Sequence, residues 1–296
     1  MTVDFKMPSP ESVGDFYNEI NKVLAHVQGG NMHYGYWTGP DDDSDFEQAG
    51  ARLTDMIIER VAAGPGDRVL DMGCGPGKPG VRLARASGAE LVGISISTED
   101  VRLANERARA EGLEDRARFQ HANMMALPFE DNSFDHVMAI ESIVHIPDRA
   151  QVLTEVARVL RPGGRVVLTD FIVRGGAAED RGAYYDQTLV EVFDSWRTAP
   201  PVTIEEYHSF AATAGLVVDE ILDITENVKY TGLKTYLALR EYARTNELPP
   251  ALQRIVDVAV GHSDLTDRQV TAWWTRMLRR EQSEGKIIVV AHLPEA

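Results

Sequence analysis

The chain carries a single cysteine, Cys74, among 296 residues, so no internal disulfide can close and no disulfide framework marks it as secreted. It has no apolar run of the roughly 18 residues that a membrane span requires. Its first residues, MTVDFKMPSPESVGD, lack the apolar core of a secretion signal. Basic residues are in short supply: 30 Lys and Arg stand against 46 Asp and Glu, a formal net charge of −16. That balance opposes non-specific nucleic-acid binding, which needs clustered cations to displace counterions, and it opposes docking on anionic lipid. Internal repeats and low-complexity tracts are also missing. The expectation is a soluble, cytoplasmic protein whose partner is a small molecule rather than a nucleic acid or a membrane.

Hydrophobic residues make up 44% of the chain and charged residues 26%, ordinary for a globular protein. The length suffices for one large domain, or a domain with a subdomain. A helical pattern runs from about Pro10 to Val27, followed by GGNMHYGYW and by an acidic loop, Pro40 to Asp45. A second helical pattern, Phe46 to Val61, runs up to the breaker Gly64-Pro65-Gly66. From there strands and helices alternate. RVLDM (68–72), ELVGIS (90–95), ARFQHA (117–122), FDHVMAI (134–140) and RVVLTDF (165–171) read as strands. Helices are expected from about Gly77 to Ala86, from Ser97 (with Asp100 in a capping-box position) towards Gly112, and from Asp148 to Leu160, where Arg161-Pro162-Gly163-Gly164 stops the last of them. Residues 172–202 break the rhythm. A Thr203/Glu206 capping box then opens a helix ending near Gly215, LVVDEILDI (216–224) reads as a strand, a Thr266/Gln269 box opens a later helix, and KIIVVAHL (286–293) is the last strand. Short apolar strands alternating with amphipathic helices imply a parallel sheet covered on both faces. The expected organisation is an N-terminal helical cap (1–62), an α/β core (63–172), and a C-terminal part (173–296) that adds substrate-cap insertions and the last two strands.

The segment Val69-Leu70-Asp71-Met72-Gly73-Cys74-Gly75-Pro76-Gly77-Lys78 lies where the first core strand turns into its helix. Side-chain-free positions there let a ligand approach the backbone, and a helix N-terminus offers N–H groups to an anion. A dinucleotide loop would place its third glycine at position 78, which is Lys78, and an acid at the end of the second strand, which is Ser95. The nicotinamide reading fails at both places. A structural tight turn is the remaining plain alternative.

VLDMGCGPGKPGVRLA resembles the first motif of the class I S-adenosylmethionine-dependent methyltransferases. LVGISIS is similar to their second-strand segment, HANMMALPFEDNSFD to the segment after the third strand, and IESIVHIPDR with ARVLRPGGRVVLTDF to the fourth-to-fifth-strand region. NMHYGYW resembles the small-molecule, natural-product branch, which holds the rebeccamycin sugar O-methyltransferase, geranyl diphosphate C-methyltransferase and the teleocidin-pathway C-methyltransferase. The resemblance implies a doubly wound, Rossmann-like α/β sheet of seven strands, the last antiparallel, and S-adenosyl-L-methionine as cofactor. It places Asp71, Gly73 and Gly75 around the methionine end. Ser95 stands where the family often has an acid for the ribose hydroxyls, and Asn123 stands where an Asp usually meets the adenine amino group, with Met124 covering the ring. Each also has a plain structural alternative: a turn cap for Asn123, a small strand-end residue for Ser95.

For a hydroxyl acceptor, His145 after the fourth strand is the expected base and Asp170 at the end of the fifth its support. Relatives of the rebeccamycin type have two adjacent histidines where this chain has Val144 and His145. Carbon methylation of an isoprenoid-like alkene is the alternative, with Glu141 taking up the released proton and aromatic faces stabilising a cation. Tyr17, Tyr34 and Trp37 from the cap, and Tyr185 and Trp196 from the insertion, are the candidate acceptor-binding residues. An enzyme that keeps the cofactor as scaffold while guiding a cyclisation is a further alternative. No metal ligand set stands out. The pair Trp273-Trp274, pointing about 100° apart on a helix, hints at a homo-oligomer contact.

Overall fold

In a computed structural model, residues 6–175, 187–260 and 284–295 are described. The chain opens with α1 (Pro10–Val27) and α2 (Phe46–Val61). Both start on reciprocal caps, Ser9 with Ser12 and Asp45 with Gln48, so orphan N–H groups of each first turn find side-chain oxygens. The core follows as β1 (Arg68–Met72), α3 (Lys78–Ser87), β2 (Glu90–Ser95), α4 (Thr98–Ala110), β3 (Ala117–His121), β4 (Phe134–Ala139), a short 3-10 turn (Ile143–His145), α5 (Arg149–Val159) and β5 (Leu160–Val173). Then come α6 (Gln187–Ser195), α7 (Ile204–Thr213), β6 (Val217–Asp223), α8 (Thr225–Val228), α9 (Tyr230–Tyr242), α10 (Pro250–Val260) and β7 (Glu284–His292).

The strands form one 7-stranded sheet in the order β3-β2-β1-β4-β5-β7-β6. β1 to β5 are parallel, and β7 inserts antiparallel between β5 and β6. The expected seven-stranded sheet with an antiparallel last strand is the observed one. The order reverses between β1 and β4, and a crevice opens outside the carboxyl ends at such a point.

The central stretches of β1, β4 and β5 are buried on both faces, which is why apolar residues stand side by side in Val69-Leu70, Val137-Met138-Ala139 and Val166-Val167-Leu168 instead of alternating with polar ones. One layer of core gathers Leu70, Val137 and Leu168 with Val152 and Val156 of α5. The opposite layer gathers Val69, Met138 and Val167 with Leu53 and Ile57 of α2. A third apolar cluster joins Phe16, Ile20 and Leu24 of α1 to Tyr236 of α9 and Leu252 of α10, roofing the crevice.

Three local readings differ from the sequence expectation. The Arg161-Pro162-Gly163-Gly164 segment does not separate helix from strand. β5 begins at Leu160 and carries the four residues as a bulge, with register jumping from Leu160 opposite Phe134 to Arg165 opposite His136. Gly163 N–H and Gly164 C=O both bond Leu293, which ties the bulge to the chain end. The capping box at Ser97 is half made: Ser97 accepts from the Asp100 N–H, while the Asp100 carboxylate turns inward. A helix, α6, stands inside the stretch that shows no sequence rhythm. Tyr185, the Thr266/Gln269 box and Trp273-Trp274 lie outside the described residues.

Candidate active site

The glycine loop is pinned from below. The N–H groups of Gly73 and Cys74 both donate to the Ile94 carbonyl at the end of β2, at 2.8 and 2.9 Å. Those donors are therefore spent within the fold, and the loop shows the crevice its bare backbone. Gly73 sits at φ +76°, and a Cβ there would lie 2.2 Å from the Cβ of Ser142. Only glycine fits such a place. Ser142 in turn donates to the Met72 carbonyl at 2.6 Å, clamping the ends of β1 and β4 together.

Above the strand ends lies a cavity of about 280 Å³. Gly73, Gly75, Ser95, Asp100, Asn123 and Met124 line it together with Tyr17, Met32, Glu141, Ser142, His145 and Pro147. Among the described residues lining it there is no Lys or Arg. Most of the sequence-derived cofactor residues thus line this cavity. Asp71 does not join them: it is buried behind the loop, its Oδ2 within 2.8 Å of where a Gly80 Cβ would be. Burial pushes its carboxyl up to about 7, and Oδ2 has no partner. Asn123 Oδ1 already accepts from the Met125 N–H at 2.9 Å, capping the turn while keeping a second lone pair. Ser95 donates to Asp100 Oδ2 at 3.0 Å and accepts from the Ser97 N–H at 3.1 Å.

His145 Nδ1 lies 2.8 Å from the Arg197 carbonyl and Nε2 lies 2.8 Å from the Tyr17 hydroxyl. A carbonyl can only accept, so Nδ1 carries the hydrogen, Nε2 is the lone-pair nitrogen, and Tyr17 donates to it. Burial pushes the His145 pKa down to about 4, with the Arg197 contact opposing the shift. Burial also raises Tyr17, as do the charges of Asp100 and Glu141, so both partners rest neutral.

Glu141 adopts φ +55°. Its carboxylate accepts from Thr169 Oγ and pairs with Lys286, which enters from β7. Burial raises the Glu141 carboxyl while Lys286 opposes it; burial lowers Lys286 while Glu141 opposes that. The Lys286 ammonium also lies 3.5 Å from the centre of the Phe171 ring and 4.7 Å from that of Tyr34. Glu141 therefore faces the cavity as half of a compensated pair.

Asp170 is not where the sequence reading put it. β5 continues to Val173, so Asp170 lies inside the strand, fully buried. Successive strand residues face opposite ways: Thr169 meets Glu141, whereas Asp170 meets Arg149 of α5 at 3.1 Å and Tyr207 of α7. It makes no hydrogen bond to His145, whose orienting partner is the Arg197 carbonyl.

The aromatic expectations divide. Tyr17 lines the cavity. Trp37 is core, fully buried, with Nε1 donating to the Ser44 carbonyl at 3.0 Å and its ring edge-on to Phe46. Tyr34 stacks edge-on with Phe171. Trp196 packs edge-on against Phe16 in the roof cluster. Tyr185 lies outside the described residues. The sequence reading missed Asp100 and Lys286. A lone lysine opening the apolar strand KIIVVAHL was the available signal for the second.

Comparison with known proteins places the chain in a family. The family description "Methyltransferase domain" matches residues 70–168. The 27-O-demethylrifamycin SV methyltransferase of Amycolatopsis mediterranei is 34% identical over 97% of this chain and 99% of its own. This chain belongs to the class I S-adenosylmethionine-dependent methyltransferases. The methyltransferase is also 42% identical to Methyltransferase GfsG of Streptomyces halstedii, over 74% of this chain and 78% of the other. Among solved structures, the [4+2]-cyclase SpnF superposes with a TM-score of 0.77 at 26% identity, covering 99% and 100% of the two chains. A geranyl diphosphate methyltransferase complex reaches 0.72 at 20% identity, over 96% and 98%, a likeness of fold.

The residues present fit S-adenosyl-L-methionine. The loop offers a face without side chains, and Asp100 Oδ1, a buried carboxylate oxygen of a cavity-lining residue, lacks a partner. The cofactor, when bound, supplies a methyl group activated on a sulfonium. No helix among the described residues is long and apolar enough to cross a membrane.

Proposed function

We propose that this methyltransferase methylates a hydroxyl of a neutral, largely apolar natural product. The observation that carries the reading is the Tyr17–His145–Arg197 chain of contacts, which ends in the cavity wall. The Tyr17 oxygen donates to His145 and keeps lone pairs with which to receive an acceptor hydroxyl. With the methyl group supplied by the cofactor, whose sulfonium sulfur would keep the electrons of the broken S–C bond and leave as the thioether, the acceptor proton would pass to Tyr17 while the Tyr17 proton would pass to His145 Nε2. The Arg197 carbonyl holds the resulting imidazolium by its Nδ1–H. A base with a pKa of about 4 suffices, because the proton of an oxygen gaining a third bond becomes strongly acidic. The remainder of the rate comes from positioning.

Absence of Lys and Arg from the described lining, and the engagement of Lys286 by Glu141, argue against a phosphorylated or carboxylated acceptor. A carbon acceptor is disfavoured by the same wall, since Tyr17 is its one aromatic face among the described residues. Several relatives bear O-methyltransferase in their names, among them O-methyltransferase rstn1 of Aspergillus nomiae at 35% identity. A second reading, cyclisation, is favoured by the likeness to SpnF.

The test is incubation with S-adenosyl-L-methionine and hydroxylated polyketides, 27-O-demethylrifamycin SV included, beside geranyl diphosphate. Formation of S-adenosylhomocysteine with a new methoxy signal by NMR is expected. A new C-methyl group, or a cyclised product without cofactor turnover, overturns the reading.

A further inference from the structure

We propose that Arg197 is a positioning residue for the base: it takes the left-handed place in the turn that ends α6, and that backbone conformation delivers the carbonyl which selects the His145 tautomer. The proposal rests on the reading of His145 as the base and is separable from it.

A neutral imidazole carries its hydrogen on either nitrogen, and its hydrogen-bond partners decide which. Among the described residues, the His145 ring bonds the Tyr17 hydroxyl and the Arg197 carbonyl. The charges of Lys286, Arg149 and Asp170 also reach His145, but none of the three hydrogen-bonds its ring. A hydroxyl can donate or accept, so Tyr17 admits both tautomers. The carbonyl only accepts. Its direction alone breaks the tie.

That direction comes from a helix end. The Thr198 N–H donates to the Phe193 carbonyl at 3.0 Å, and the Arg197 N–H donates to the Asp194 carbonyl at 3.2 Å. These are the paired bonds of a Schellman motif, in which the residue after the cap is left-handed and usually glycine. Here that residue is Arg197, at φ +54°. The conformation is unfavourable for a residue with a Cβ, and side-chain bonds hold it. Arg197 Nη1 donates to the Asp194 carbonyl at 2.7 Å and to Asp194 Oδ1 at 3.3 Å. Asp194 Oδ2 accepts from Arg254 of α10 at 2.6 Å, so the roof braces the same turn. The Ala199 N–H then donates to the Val144 carbonyl at 2.9 Å, docking the end of α6 against the turn that carries His145.

The test reads the tautomer directly, from the imidazole nitrogen NMR shifts of isotope-labelled histidine in the whole protein at neutral pH. The His145 signal is identified by its loss in His145→Gln, and thermal melts report folding. Wild type is expected to show the Nδ1–H form alone. Arg197→Gly, which adopts positive φ without strain, is expected to keep it. Arg197→Val, whose β-branched side chain opposes that conformation, and Arg197→Pro, whose ring fixes φ at about −65°, are expected to lose it and populate Nε2–H. A wild-type Nε2–H form, or an unchanged tautomer in folded Arg197→Val or Arg197→Pro protein, overturns the assignment. Loss of the Nδ1–H form in Arg197→Gly also overturns it, and that arm stands even where neither disrupting variant folds. A carbon-methylated or cyclised product would remove the hydroxyl reading while leaving the tautomer measurement intact, so the two failures are distinct.

Discussion

The Tyr17 hydroxyl and His145 Nε2 stand 2.8 Å apart though 128 residues separate them in sequence. This contact joins the roof helix α1 to the turn after β4. The same helix is held at the start of α4, where Asn18 Oδ1 accepts from Ser97 Oγ at 2.8 Å and from the Glu99 N–H at 3.2 Å. Close approach is possible because residue 14 is glycine: a Cβ there would lie 2.9 Å from the Ile96 carbonyl. Helix α1 therefore touches the start of α4 through Asn18 and the turn after β4 through Tyr17.

Tyr17→Phe removes the hydroxyl and leaves the ring. Turnover is expected to fall about 100-fold with KM nearly unchanged, the usual scale for losing one proton-transfer group. His145→Ala is expected to do the same, and the double variant no worse than either, because the two act as one chain. Release of S-adenosylhomocysteine measures all three. Multiplying rather than saturating losses would show the residues acting independently.

His33 gives a pH effect on stability that is separate from the cavity. Its Nδ1 lies 2.8 Å from the Tyr34 carbonyl and its Nε2 3.1 Å from Thr54 Oγ1. Burial lowers its pKa to about 4. The unfolded chain protonates this residue below about 6.5 and the folded chain does not, so its contribution is present above that pH and is lost as pH falls towards 4. The loss is at most about 1.4 kcal/mol per pH unit in that window. His33→Gln removes the term. The stability gap between wild type and variant, from urea melts at pH 7 and pH 5, should narrow at the lower pH; a constant gap refutes the account.

Much of the architecture was legible because period and punctuation agree. Short apolar-rich strands, glycine breaks and Ser or Asp caps recur at the observed boundaries of α1, α2, β1 and β2. The glycine loop was legible for the same reason, since its backbone need is local. Directions were harder to read. Asp170 follows Thr169 by one residue, and the pleat alone sends one to Glu141 and the other to Arg149. Asp100 read as half of a capping box because its inward partner, Ser95, is visible only once β2 and α4 are packed. Lys286 acquires its meaning from Glu141, 145 residues away.

Trp37 tests whether the aromatic GGNMHYGYW segment serves the ligand or the fold. Trp37→Ala should destabilise by about 3–5 kcal/mol, the range for deleting a large buried ring. S-adenosylhomocysteine affinity of the folded fraction should stay within about twofold, since the ring lies outside the cavity lining. Denaturant melts and calorimetry read the two quantities. Unchanged stability with weakened binding would place Trp37 at the ligand after all.

Asp170→Asn separates a structural charge from a catalytic one. The wild-type carboxylate accepts from Arg149 Nε at 3.1 Å, from the Phe171 N–H at 2.7 Å and from the Tyr207 hydroxyl. An amide has the same shape but lacks the charge and presents hydrogens to one of those donors. Arg149, 2% exposed, would be left as an uncompensated buried cation. Removing one member of such a pair costs about 3–5 kcal/mol, so the melting temperature should fall by several degrees. The pH profile of turnover in the folded variant should match wild type, because His145 takes its orientation from the Arg197 carbonyl. If Asp170 oriented the base, the profile would shift while the melting temperature held.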